Sequence, residues 1–407
     1  MRKISKILIL DGNSSQCLPV IRSLYRKGNW IALVCPGVFS SGYFSRYVHK
    51  RLVWPRITGN EEEFYKIFLS HIKSVKYDLV LGLSDVSTEM LACHKNEIEK
   101  FVKTVVPDYE IFSIAANKYL TMQLCMEKEI PCPVTINGDE ADNELLKSAL
   151  NFPVVVKPKK GVGAIGFNIL SDPESLINRL PALRNDYGGL LIQEYIPNQK
   201  QYTAEVFCNS NSKMEACIIS EKARFFPLTG GTSSCNVIIQ SPEMELIAEK
   251  LLKELKWTGA ANIDFILDPR DNTPKVIEIN PRIGATVKIA FESGIDFSKM
   301  LVNLANDEKN EQPEVYESGL VMRNLFLDLL WFIFSPYQEK KQAMPSFSKF
   351  YGKNIRYQAF CIDDPLPIIG FLLGYIVKYA NINKLQEKLG IKRERNHEFR
   401  TRDKIIG

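Results

Sequence analysis

Four histidines in 407 residues leave little material for a zinc site. The nine cysteines do not supply one. Cys17, Cys35, Cys93, Cys125, Cys132, Cys208, Cys217, Cys235 and Cys361 stand singly, form no Cys-x-x-Cys pair and are odd in number. A disulfide framework is therefore not indicated, and a reducing, cytoplasmic compartment is expected. Apolar runs of the roughly 20 residues that span a bilayer are missing as well. The run at 7–10 follows two lysines but is too short for a signal core, and it ends in Asp11-Gly12-Asn13, so it reads as a strand. Charge of one sign is also weak: the formal net is +5, which creates no strong nucleic-acid field, although local basic patches remain open.

What is present is the composition of a globular protein, 45% apolar and 24% charged. The length exceeds one ordinary core and implies two or three domains. Up to about residue 116 strand-like runs (6–10, 30–35, 79–83) alternate with helical spacing (16–26, 86–100), which predicts a parallel sheet with right-handed crossovers. The loop 11–15 has one glycine and no dinucleotide fingerprint, so a substrate edge suits it better than a nicotinamide. Ser84-Asp85 falls at another strand end, and both loops read equally as helix caps.

The segment 259–286, GAANIDFILDPRDNTPKVIEINPRIGAT, reads as a hairpin: alternation over 262–267, turn residues at 269–273, alternation again over 276–280. Asn262, Asp264 and Ile266 then share one face, as do Val276, Glu278 and Asn280. If Leu267 pairs with Lys275, Asp264 lies opposite Glu278. Two adjacent carboxylates need a neutraliser, and Mg²⁺ with phosphate oxygens is the usual one for hard oxygen ligands. Asn280 adds a neutral oxygen and Arg282 a fixed cation. The hairpin alone leaves open an exposed Asp264 and a Glu278 paired with a surface lysine.

Upstream, 117–129 reads as a helix with Lys118 in its first turn, stopped by Pro131 and Pro133. Phe152 to Pro158 is a strand with Lys157 among valines, a place lysines seldom take without an anionic partner. Lys159-Lys160 follow, then Gly161, Gly163 and Gly166 satisfy GxGxxG. Phe-Asn-Ile-Leu comes next, and a helix starts only at 171–173, so strand, glycine loop, strand is expected: a flap over phosphates. A Gly-Lys-Ser/Thr is lacking, which excludes a P-loop, and neither HRD nor DFG of a protein kinase occurs. Gln193, Glu194, Tyr195 and Ile196 end a strand and form an extended hinge suited to an adenine edge. Arg224, with Gly230-Gly231 beyond it, can grip a carboxylate in two-pronged fashion, or the segment is a plain hairpin turn.

Lys118, Lys157 with its glycine flap, the 193–196 hinge and the Asp264/Glu278/Asn280/Arg282 hairpin, in that order, resemble the ATP-grasp superfamily, in particular carbamoyl-phosphate-synthase-like carboxylate-amine ligases. The resemblance covers 117 to about 289. It implies α/β and α+β architecture: an N-terminal parallel α/β pre-ATP-grasp domain (1–116), a two-lobed ATP-grasp domain (117–312, with a flap-bearing small lobe at 117–190 and a metal-binding lobe at 191–312), and a mainly helical C-terminal extension (313–407). It further implies ATP with Mg²⁺ or Mn²⁺. Lys118, Lys157 and Lys159 would lie at phosphates, backbone of Glu194 and Ile196 at adenine, and Gln201 at the ribose, where relatives often have Glu. Asp264, Glu278 and Asn280 would hold the metal, and Arg282 the transferring phosphate. The implied reaction joins a small carboxylate to an amine or thiol, on an amino acid or cell-envelope precursor, through an acyl phosphate, with ADP and phosphate released. A bicarbonate carboxylase and a non-catalytic nucleotide-binding regulator are the alternatives, and homodimers are common among relatives. No nucleic-acid partner is expected. The apolar segments 325–334 and 368–379 read either as helices buried against the ATP-binding domain or as an interfacial anchor or groove for a lipid-linked acceptor. The tail basics Lys392, Arg393, Arg395, Arg400 and Arg402 favour the second reading, and Glu394, Glu398 and Asp403 dilute it.

Overall fold

The structure is a computed structural model that describes residues 5–141, 151–161, 166–197, 200–228, 232–311 and 316–379. It opens with β1 (Lys6–Ile9), β2 (Trp30–Cys35), β3 (Lys50–Val53) and β4 (Leu79–Leu81), all parallel, in the order β3-β2-β1-β4. Ile7 and Ile9 enter one apolar core and Leu8 and Leu10 the other, as expected of a parallel strand covered on both faces. Helix Cys17–Arg26 buries Leu18, Val20, Ile21 and Leu24. β3 was invisible in the sequence because this edge strand reads KRLV, with Lys50 exposed and Arg51 donating to the Tyr43 and Ser45 carbonyls. The helix expected over 86–100 is two pieces, Asp85–Cys93 and Lys95–Ile98, parted at His94, whose ring stacks on Tyr65 at 3.9 Å.

Four antiparallel strands follow: β5 (Thr135–Asn137), β6 (Val154–Pro158), β7 (Asn168–Leu170) and β8 (Leu190–Glu194), in the order β5-β8-β6-β7. β6 and β7 pair directly, so the glycine segment joins two strands as expected. Helix Pro173–Tyr187, capped by Asp172 with proline in its first turn, closes a small separate core of Val154, Val156, Leu176, Leu180 and Ile192.

The remaining strands build one sheet: β9 (Gln201–Cys208), β10 (Met214–Phe226), β11 (Thr232–Ile239), β12 (Gly259–Leu267), β13 (Pro274–Asn280), β14 (Val321–Arg323) and β15 (Ile355–Tyr357), in the order β13-β12-β9-β10-β11-β14-β15. Both large cores run from the N-terminal sheet into this one, so the two pack as a continuous body. The C-terminal segment is more than helices. β14 and β15 lengthen the sheet, and the chain then returns to the N-terminal domain, where buried Asp364 pairs with Arg22 at 3.0 Å. Helices Leu325–Phe334 and Pro367–Tyr379 form where the apolar runs were read. They are not simply buried, since each keeps an exposed apolar row. No helix among the described residues is long and apolar enough to cross a membrane.

Candidate active site

In the hairpin, Leu267 lies opposite Pro274, Ile266 opposite Lys275 and Phe265 opposite Val276. This is one residue off the Leu267–Lys275 pairing expected from the turn. A bulge at Ile277 absorbs the difference, and beyond it Asp264 faces Glu278 and Asn262 faces Asn280. The same bulge removes Val276 from the face it was expected to share with Glu278; it packs with Ile263, Phe265 and Ile279 in the core. Across β9, Thr203 is opposite Asp264 and Glu205 opposite Asn262, while β10 sets Ser220, two residues before Lys222, opposite Thr203. One sheet face thus gathers Thr203, Glu205, Lys222, Asn262, Asp264, Glu278 and Asn280.

Three lysines answer the two carboxylates. Lys222 Nζ is 2.7 Å from Asp264 Oδ2. Lys118 Nζ is 3.2 Å from Glu278 Oε2 and donates to the Gly161 carbonyl at 2.6 Å. Its place is fixed by Asn117, whose side chain caps the helix Lys118–Glu127 through the N–H groups of Tyr119 and Leu120. Burial pushes Lys157 down to about 8 against the pull of Glu278 and Asp264. Burial also opposes an ionised Glu278, yet Lys118, Lys157 and Lys222 together outweigh it and hold that carboxyl well below the usual range. For Asp264 burial wins: its carboxyl is pushed up, with Lys222 opposing and Glu278 adding to the rise.

Asp264 Oδ1 is buried and has no hydrogen-bond partner among the described residues. The Thr203 hydroxyl is near this carboxylate but makes no well-formed bond to Oδ1; it accepts from Asn262 Nδ2 at 2.6 Å. A buried oxygen left so costs about 1–3 kcal/mol, and a divalent cation shared with Glu278 would satisfy it. No three His, Cys, Asp or Glu side chains cluster as a metal cage among the described residues. A cation here would therefore complete its shell with phosphate oxygens and water.

Beyond β13, Arg282 bridges to the N-terminal domain: Nε is 3.1 Å from Asp85 Oδ1 and Nη2 is 3.3 Å from Asn280 Oδ1. Glu205 braces the loop behind it, accepting from the Gly284 N–H at 2.9 Å and from Thr286 Oγ1 at 3.0 Å. Burial raises this carboxyl to about 7. A Cβ at position 284 would collide with the Glu205 carboxylate, so any larger residue there must displace that side chain from its bonds to the loop. Gln16 Nε2 donates to the Leu83 carbonyl and, at 3.4 Å, to that of Ile283, which joins the first loop of the chain to the same place.

Residues 115–286 match the ATP-grasp domain. That span holds Lys118, the flap, the hinge and the acidic hairpin. D-aspartate ligase of Enterococcus faecium is 23% identical over 251 residues, 56% of this chain and 58% of that enzyme. D-alanine–D-alanine ligase of Bacillus anthracis is 25% identical over 304 residues, 67% of this chain and 94% of that enzyme. Among solved structures, the biotin carboxylase domain of Hydrogenobacter thermophilus 2-oxoglutarate carboxylase, in complex with MgADP, ADP and bicarbonate, superposes with TM-score 0.66 at 16% identity. That alignment covers 79% of this chain and 74% of the other. The L-amino acid ligase of Bacillus licheniformis gives 0.56 at 18% identity, over 75% of each chain. These structures establish a shared fold.

The other residues expected in the ATP-grasp site are placed as follows. Lys159 is engaged by Asp139 at 2.6 Å and Lys160 by Glu89 at 2.8 Å, each neutralised away from the Asp264/Glu278 pair. Gly161 and Gly166 have left-handed φ of 127° and 74°; Gly163 lies outside the described residues. The Gln193 side chain points into the small lobe and donates to Thr135 Oγ1 at 2.8 Å. The Glu194 N–H donates to the Val134 carbonyl and its carboxylate pairs with Arg270 at 2.6 Å. Tyr195 and Ile196 follow outside any strand or helix, with the Tyr195 N–H donating to the Pro153 carbonyl at 3.4 Å, and Gln201 begins β9 opposite Ile266.

Arg224 requires a correction. It was expected to grip substrate, but it is 2% exposed, and its Nε and Nη2 bind Asp328 at 2.6 and 2.9 Å, beside Arg323. Register shifts on either side of Arg224 break the alternation that would have aligned it with Lys222. Gly230 and Gly231 of the same segment lie outside the described residues. Lys222 and Glu205 are the site residues that sequence reasoning missed. Glu205 sits in an otherwise apolar run, AEVF, and that isolated acid was the available signal.

Proposed function

We propose that this protein is an ATP-dependent carboxylate-amine ligase that releases ADP and phosphate. The observation that carries the reading is the unpartnered Asp264 Oδ1 beside Glu278, ringed by Lys118, Lys157 and Lys222, with Lys118 also donating to the Gly161 carbonyl. Three ammonium groups against two carboxylates leave an excess of positive charge that suits a polyphosphate. Asp264 and Glu278 would hold Mg²⁺ or Mn²⁺, with the Asn280 amide oxygen in reach once Arg282 turns to phosphate. The ion would supply Lewis-acid stabilisation to the phosphate oxygens.

Lys118 and Lys157 orient the phosphates, and Lys222, released from Asp264, meets the terminal one. Adenine sits against the backbone of Glu194 and Ile196, with Gln201 at the ribose. A substrate carboxylate oxygen bonds to the terminal phosphorus while the bond to ADP breaks. The amine nitrogen then bonds to the acyl carbon, phosphate leaves, and the nitrogen gives up a proton. Arg282 stabilises the charge spread over the transferring phosphoryl group. Amino acids are the first substrates to try, given the D-aspartate and D-alanine–D-alanine ligases among its relatives.

The test is ADP release measured across amino acids offered as carboxylate and as amine, with bicarbonate as a separate arm and Glu278→Ala as control. Amino-acid-dependent ADP release that Glu278→Ala abolishes supports the ligase. Release with bicarbonate alone would instead favour a carboxylase, and nucleotide binding without turnover a regulatory protein.

A further inference from the structure

Helix Leu325–Phe334 turns Leu327, Asp328 and Trp331 inward against β10 and β11. Its opposite side leaves Leu325, Leu329, Phe332, Ile333 and Phe334 exposed. Large apolar groups continue the patch: Tyr337 is 78% exposed, Met344 80% and Tyr351 89%. Phe332 stacks on Phe347 at 4.2 Å, and Phe347 meets Phe350 edge-on at 5.5 Å, so the helix face continues onto these two rings. Soluble proteins seldom display such a surface without a partner.

The charge of the segment that carries it is one-sided. Between residues 329 and 355 the only acid is Glu339, against Lys340, Lys341, Lys349 and Lys353. Lys340 Nζ lies over the Phe332 ring at 5.2 Å, so basic and aromatic groups are interleaved. A two-fold dimer through this face would set lysine rim against lysine rim with one acid apiece, an unfavourable match. Aromatic and aliphatic side chains rimmed by lysine instead match the headgroup region of an anionic bilayer.

We propose that this face docks the protein onto an anionic lipid membrane surface, with Leu329, Phe332, Ile333 and Tyr337 entering the interface and Lys340 and Lys341 meeting the headgroups. The inference goes beyond the ligase reading and does not rest on it. The helix starts close to the candidate site all the same: Asn324 donates to Gln358 at 3.1 Å, and Gln358 donates to the Ala285 carbonyl at 2.8 Å, in the loop behind Arg282.

The experiment is sedimentation of the full chain with vesicles of phosphatidylcholine alone and of phosphatidylcholine mixed with phosphatidylglycerol in equal amounts, at low salt. The protein is expected to partition into the mixed vesicles and not the neutral ones. Leu329→Glu/Ile333→Glu and, separately, Lys340→Glu/Lys341→Glu should each lower that partition at least about tenfold. Binding of an ATP analogue, measured on the same preparations, separates loss of fold or failure of the ligase reading from loss of membrane contact. No partition into mixed vesicles, or equal partition by the variants, overturns the proposal. So does a dimer, seen by sedimentation velocity, that Leu329→Glu/Ile333→Glu dissociates while vesicles take up no protein.

Discussion

Lys157 shows how the site couples to pH. Burial lowers its pKa to about 8 in the nucleotide-free protein, whereas a bound polyphosphate would raise it again. Below about 8 the ammonium is present in both states and binding is unaffected by pH. Above that, binding must take up a proton, so affinity for an ATP analogue is expected to fall by up to about tenfold per pH unit until the bound-state pKa is reached. Calorimetry in buffers of different ionisation enthalpy would reveal the proton taken up, and Lys157→Met should abolish it. The Glu205 pKa is shifted in the other direction. Its folded pKa, about 7, lies above the ordinary value of 4.5. Its contribution to stability is fully present below pH 4.5 and is lost as pH rises through 7. Glu205→Gln should therefore flatten the pH dependence of the urea-unfolding midpoint across that window.

The hairpin β12–β13 and the strand β10 carry the arrangement at the level of elements, and bulges decide both. Period-two reasoning put Asp264 opposite Glu278 correctly although the turn pairing behind it was one residue out, because the bulge at Ile277 restores the register. Nothing in the residue types of 275–278 announces that bulge. In β10 the carboxylate grip expected of Arg224 failed: the shifts around Arg224 send it to Asp328 and leave Lys222 at Asp264. The order strand, glycine loop, strand was legible because Gly161 and Gly166 stand between two strand-like runs that pair directly, and both take left-handed backbone. β14 and β15 were not, since three residues are too few to show a period. Asp328 neutralises two buried guanidiniums, Arg224 and Arg323. Asp328→Ala should thus cost about 3–5 kcal/mol in urea unfolding. Gly284→Ala forces a methyl onto the Glu205 carboxylate and should cost about 1–3 kcal/mol by the same measurement.

Across the whole molecule, the acidic hairpin, the flap-bearing small lobe and the N-terminal sheet meet at one place. Arg282 to Asp85, Lys118 to Gly161 and Glu278, and Gln16 to Leu83 and Ile283 cross those boundaries. The C-terminal return to Arg22 through Asp364 fastens the far side. Its sequence, CIDDPLP, holds no periodic signal that would have predicted this contact. The central claim is that Asp264 and Glu278 share a divalent ion with a nucleotide. Titrating a non-hydrolysable ATP analogue into wild type and Glu278→Gln, with and without Mg²⁺, tests it most directly. Wild type should bind at least about tenfold more tightly with the metal than without it, and Glu278→Gln should lose that dependence. Equal Mg²⁺ dependence in the two proteins would contradict the account.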